Sequence, residues 1–119
     1  MAADWAHNFL RDFYNNMSND RSKNISLYRS TSIFTYNDDT SIGIDQITEK
    51  LKSFSYKTIR YECDKLNVQQ IGDNGLLIVI NGKLIMDNEN NFGFCETFVI
   101  FFENQQCFYI QNQVMQLIE

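Results

Sequence analysis

The residues best suited to chemistry lie in "LIMDNENNFGF", Leu84–Phe94, between the apolar runs "GLLIVINGK" and "FCETFVIFF". Asp87 and Glu89 stand close together at what reads as a hairpin tip. Two such carboxylates are either an acidic handle for a basic partner or ordinary solvated turn residues. Other chemistry is thin. His7 is the only histidine and has no cysteine in ligand spacing, so no metal site is expected. Cys63, Cys95 and Cys107 are odd in number and unpaired in spacing, which reads as reduced thiols of a cytosolic or nuclear protein. Acid–base catalysis would need a carboxylate in a cavity beside a phenol or protonated acid. Glu62, Glu96 and Asp64 are the inward-facing acids, with Tyr14 and Tyr61 as donors, but no spacing signature joins them. Neither a catalytic residue nor a cofactor is expected.

The bulk properties narrow the field. A chain of 119 residues is long enough for one core and reads as one domain, 1–119. With 44% hydrophobic and 14% aromatic residues the chain is not disordered, and it can wall a cavity as well as fill a core. A net charge of −5 and a pI near 4.7 argue against a nucleic-acid or anionic-membrane partner and fit a basic protein partner better. The start "MAADWAHNFL" has neither the basic nor the apolar segment of a signal peptide, and "FVIFF" is broken by "ENQQ" before it could span a bilayer. The many asparagines read as background composition, which assigns no role to Asn88, Asn90 or Asn91.

The elements that must hold the acidic tip follow from hydrophobic periodicity. Phe9, Leu10, Phe13, Tyr14 and Met17 line one face of a helix over 4–18, with Asp4 as its N-cap. A short second helix is expected over 22–29, then a β run over 31–36 that "NDDTS" breaks. Ile44, Ile47, Leu51 and Phe54 give a third amphipathic helix over 43–54. From there the period becomes two, with strands expected over 56–71, 75–86, 92–102 and 106–118. Phe94, Glu96, Phe98, Ile100 and Phe102 share one face of the third of these strands. In the fourth, Phe108, Ile110 and Val114 are expected opposite Tyr109, Met115 and Leu117. Helices followed by a bent antiparallel meander is an α+β pattern, and the second, aromatic-rich sheet face suits a homodimer.

Three segments, "FYNNMSNDRSKNISLYRSTSIFTY", "GIDQITEKLKSFSYKTI" and "INGKLIMDNENNFGF", together resemble the nuclear transport factor 2 family. "NDRS" with Leu27-Tyr28, and "ITEKL", carry most of that resemblance, which runs over nearly the whole chain. It implies a cone-shaped, curved antiparallel sheet wrapped over three N-terminal helices, with a hydrophobic cavity at its mouth. It also implies homodimers that carry the GDP-bound form of the small GTPase Ran into the nucleus by touching Phe-rich nucleoporin repeats, without catalysis. Such a carrier works in cytoplasm and nucleus and at the nuclear pore.

Carried over residue by residue, the resemblance places the rim acids that pair with a GTPase lysine on Asp87 and Glu89, ahead of Gly93-Phe94. An aromatic side chain of the GTPase would enter the cavity beside them. A third rim acid of the family is replaced here by Asn37, which follows Tyr36; Asp38 and Asp39 come next and could serve instead, although a shift of one residue on a strand turns a side chain to the other face. Tyr36 reads equally as a rim aromatic or as core. Trp5 is the candidate for the nucleoporin-repeat site or a helix-start packing residue, and Tyr61 stands where relatives carry a buried histidine. Two other readings stay open: an interaction domain for RNA-granule or mRNA-export partners, and a cavity-based isomerase or dehydratase. The end of the chain at Glu119 favours a free-standing carrier.

Overall fold

A computed structural model describes residues 2–118. The chain runs α1 (Ala2–Asn19), a 3₁₀ helix (Arg21–Leu27), β1 (Tyr28–Tyr36), β2 (Asp39–Ile42), α2 (Gly43–Ser53), β3 (Ile59–Ile71), β4 (Gly75–Met86), β5 (Asn90–Phe102) and β6 (Phe108–Ile118). All six strands form one sheet in the order β2-β1-β6-β5-β4-β3. Neighbours pair antiparallel except β1 and β6, which run parallel. This is the α+β fold expected, three helices against a curved sheet.

α1 forms because Ala6, Phe9, Leu10, Phe13, Tyr14 and Met17 recur at helical spacing, and all six are buried. Its first turn begins before Asp4, so Asp4 favours the positive end of the helix from inside rather than capping it. The short second helix expected over 22–29 is a 3₁₀ helix over Arg21–Leu27. Asp20 is its N-cap, accepting from the Ser22 amide at 3.2 Å and from the Ser22 hydroxyl at 2.5 Å. Asn24 is fully buried and ties this segment to α1, donating to the Phe13 carbonyl at 3.1 Å and accepting from Asn16 at 2.9 Å.

The core lies between the helices and one sheet face. On β5, Phe94, Glu96, Phe98 and Ile100 alternate inward as expected. On β6 the inward set is Ile110, Gln113 and Met115, whereas Val114 is exposed. The expectation that Val114 shares a face with Ile110 therefore fails. The cause is a register shift against β5: Ile110 pairs with Ile100 but Asn112 pairs with Val99, so Gln111 is an extra residue that reverses the alternation. β3 carries a similar bulge between Cys63 and Lys65. At that bulge β4 passes so close that a Cβ on Gly82 would lie 2.0 Å from the Glu62 carbonyl oxygen, which only glycine tolerates. The acidic "NDDTS" does not end the sheet there either. It makes a tight turn into β2, with Asn37 at φ 53° and Tyr36 paired to Asp39.

Candidate functional site

The apolar face encloses a cavity between α1, α2 and the sheet. Phe13 and Met17 of α1, Phe34 and Tyr36 of β1, Phe54 and Tyr56 after α2, and Tyr61, Leu84 and Met86 form its walls; Glu96, Gln113 and Met115 also line it. With its mouth it spans about 330 Å³, of which about 20 Å³ admits the centre of a water-sized molecule. That is room for about one water. Anything larger must part the walls, and Met17, Met86 and Met115 make them yielding.

Arg21 builds the mouth. Its guanidinium donates to the carbonyls of Leu51 at 2.9 Å and Phe54 at 2.8 Å, closing the C-terminal end of α2. The same group lies 4.7 Å from the Tyr56 ring centre and 5.9 Å from that of Phe54. Asp20, Arg21 and Ser22 thus explain "NDRS" physically: a cap, a clamp on α2, and a platform for two mouth aromatics. Tyr36 completes the edge, 5.0 Å from Phe54. It is half-buried, lining the cavity while packing against the core. Lys50 sits over both rings at 5.3 and 5.6 Å and pairs with Asp39 at 2.7 Å.

The floor is polar. Glu96 is 2% exposed; Tyr14 donates to one of its oxygens at 2.8 Å and Gln113 to the other at 2.7 Å. The hydroxyl of Tyr28 in turn donates to the Gln113 amide oxygen at 2.6 Å. Burial pushes the Glu96 carboxyl up to about 7, against the opposing pull of the Gln113 and Tyr14 hydrogen bonds. Burial and the nearby Glu96 carboxylate raise the Tyr14 hydroxyl well above its usual range, so it stays a donor. Tyr61 stacks on Tyr14 with ring centres 4.1 Å apart, so this tyrosine adds a wall rather than a proton acceptor. Glu62 and Asp64 are both exposed on β3, Asp64 in a surface groove beside His7 and Arg11 of α1, and neither joins Glu96.

The acidic connection stands at the β4–β5 tip. Asp87 and Asn88 both have positive φ, 54° and 59°, and the Glu89 amide donates to the Met86 carbonyl at 3.1 Å. Two left-handed residues closed by that bond are the pattern of a type I′ turn, which favours Asp and Asn. Asn88 is thus selected by backbone conformation, not by background composition alone. Asp87 has a second job: one carboxylate oxygen accepts from the amides of Lys57 at 2.8 Å and Thr58 at 2.9 Å. Those two bonds hold the Asp87 carboxyl below its usual range and tie the tip to the chain leading into β3. Glu89 is exposed and, among the described residues, makes no side-chain hydrogen bond or ion pair.

Asn37 and Phe94 have local tasks. The Asn37 side-chain oxygen accepts from the Leu117 amide at 3.0 Å, and its own amide donates to the Met115 carbonyl at 2.8 Å, fastening the β1–β2 turn to β6. Phe94 is 1% exposed and packs edge-on against Tyr14 and Tyr61, behind the cavity wall rather than on it. Trp5 lies in the first turn of α1, stacked on Phe9 at 5.3 Å and edge-on to Phe102 and Phe108 at 4.8 and 4.9 Å. It is half-buried between two surface grooves, one carrying Asp73 and Glu103, the other Asn8 and Asp12.

Three helices packed against a curved six-stranded sheet, with an aromatic-walled cavity between them, define an α+β class whose fold alone does not fix its function. Within that class the assignment is specific. The family model of the nuclear transport factor 2 (NTF2) domain matches residues 5–117, and the chain belongs to this family. Nuclear transport factor 2 of Eremothecium gossypii is 31% identical over 114 residues, covering 94% of this chain and 90% of that protein. Among solved structures, nuclear transport factor 2 from Cryptosporidium parvum superposes with a TM-score of 0.92 at 21% identity, covering 98% of this chain and 94% of that one. The yeast Ubp3-associated protein Bre5 gives 0.90 at 23% identity, covering 100% and 98%. The sequence named Glu96 as an inward-facing acid and Tyr14 as a possible donor, and the structure joins these two. It did not point to Arg21, Lys50 or Gln113 as parts of the site.

Proposed function

We propose that this protein is a non-enzymatic, homodimeric carrier that binds the GDP-bound form of Ran and touches Phe-rich nucleoporin repeats, moving between cytoplasm and nucleus through the pore. The observation that carries the reading is an aromatic-walled cavity next to two exposed carboxylates, on a chain whose relatives are nuclear transport factors 2. An aromatic side chain of the GTPase enters between Tyr36 and Tyr56, and a neighbouring lysine pairs with Glu89 and the free oxygen of Asp87. Asn37 contributes no charge, and Asp39 is already paired with Lys50, so the rim attraction rests on the β4–β5 tip.

Titration of the purified protein with GDP-loaded and GTP-loaded Ran tests this. Binding of the GDP form alone is expected; equal binding of both, or of neither, sinks the carrier. The second reading, an interaction domain with a different protein partner, draws on the likeness to Ubp3-associated Bre5. It is favoured if the protein dimerises but ignores both nucleotide forms.

A further inference from the structure

A cavity made only to receive an apolar side chain has no need of an acid at its floor. Glu96 is buried, yet it lines this one. Desolvating a carboxyl is costly unless its polar atoms are satisfied. Tyr14 and Gln113 supply one donor to each oxygen. A carboxylate offers about four acceptor positions, so about two remain. Around it, the aromatic side chains of Tyr36, Phe54, Tyr56 and Tyr61 line the cavity.

The ligand chemistry follows from what this surface lacks and what it already holds. A ring fits among rings, with edge-on and offset contacts. A cationic ligand is disfavoured, because Lys50 and Arg21 already lie against Tyr36, Phe54 and Tyr56 and repel a third positive charge. A neutral hydroxyl is favoured, since it can donate to the ionised carboxyl and accept from the protonated one; the Glu96 carboxyl, pushed up to about 7, visits both forms near neutrality. The three methionines of the wall allow the narrow space to widen around a single ring.

We propose that this cavity binds small neutral phenols, with the ring among Tyr36, Phe54, Tyr56 and Tyr61 and the hydroxyl donating to Glu96. The site requires only the cavity, and it goes beyond the carrier role. A phenol held there occupies the space an entering aromatic side chain would use, so the two compete.

The test titrates the full chain with p-cresol, toluene and benzylammonium while following the methyl resonances of Met17, Met86 and Met115. We expect p-cresol to shift these methyls with an affinity about tenfold better than toluene, the gain from one hydrogen bond to a charged acceptor. Benzylammonium is expected to bind weakest. Glu96→Gln keeps the shape and removes the charge, and narrows the p-cresol preference several-fold. Equal affinity for p-cresol and toluene in the native protein overturns the proposal. So does a preference for benzylammonium, or no methyl shift with any of the three. No GTPase is present, so failure here leaves the carrier reading to its own test.

Discussion

The hydroxyl of Tyr14 donates to Glu96 at 2.8 Å across 82 residues of sequence, joining the middle of α1 to the middle of β5. This bond places an ionisable group at the centre of the fold and couples stability to pH. The Glu96 carboxyl is pushed up from 4.5 to about 7 by burial, so the folded state holds its proton more tightly than the unfolded state. The associated stability is fully present below about pH 4.5 and is lost as pH rises through 7. The difference is roughly 3 kcal/mol, from about 1.4 kcal/mol per unit. Urea denaturation at pH 5 and pH 8 should show this loss in the native protein and little of it in Glu96→Gln. A native protein equally stable at both values contradicts the account.

How much of this was legible beforehand depends on the range of the interaction. Local periodicity located α1, α2 and the long strands, because Phe9, Phe13, Met17 and the alternating residues of β5 bury themselves through their own segment's geometry. The second segment was legible as a short helix, but its 3₁₀ form was not, because the Asp20 cap and buried Asn24 that hold it leave no apolar stripe. Val114 was assigned the wrong face because one inserted residue at Gln111 is invisible to a strict period of two. Gln113 and Glu96 are joined only once β5 and β6 pair, and no spacing encodes that register. Asp87 was legible as an acid, but its bonds to Lys57 and Thr58 were not.

That double use of Asp87 separates two substitutions usually treated as equivalent. Asp87→Asn keeps an oxygen for the Lys57 and Thr58 amides and a side chain that accepts positive φ, and it removes the charge. Asp87→Ala loses both bonds and is strained at φ 54°. We expect the asparagine variant to melt close to the native protein and the alanine variant to melt clearly lower, as for a lost backbone cap. Equal melting temperatures for the two would show that the tip does not depend on this anchor.

Glu89 differs from Asp87 in that its side chain makes no hydrogen bond or ion pair among the described residues, so its carboxylate is open to a partner. Glu89→Gln should leave the melting temperature unchanged and weaken binding of GDP-loaded Ran by about tenfold or more, the range for a close interfacial charge pair. Doubling the Asp87→Asn and Glu89→Gln changes should also flatten the salt dependence of association, because exposed charges are screened. Calorimetric titration at two salt concentrations reads both effects. Native-like affinity in the double variant would reduce the connection to a polar turn.

Trp5 requires its structural contribution to be separated from any binding role. Its ring stacks on Phe9 and meets Phe102 and Phe108 edge-on, so Trp5→Ala opens the seam between α1 and the end of the sheet. A loss of roughly 2–4 kcal/mol is expected for truncating a half-buried aromatic. Trp5→Phe retains part of that packing and gives up the indole surface presented to the flanking grooves. If Trp5 forms the repeat-binding surface, Phe-rich peptide binding falls in both variants at temperatures where both remain folded. Circular dichroism establishes the folded range, and peptide titration within it reads the affinity. Should Trp5→Phe bind like the native protein while Trp5→Ala only melts earlier, the tryptophan is a packing residue and the repeats dock elsewhere.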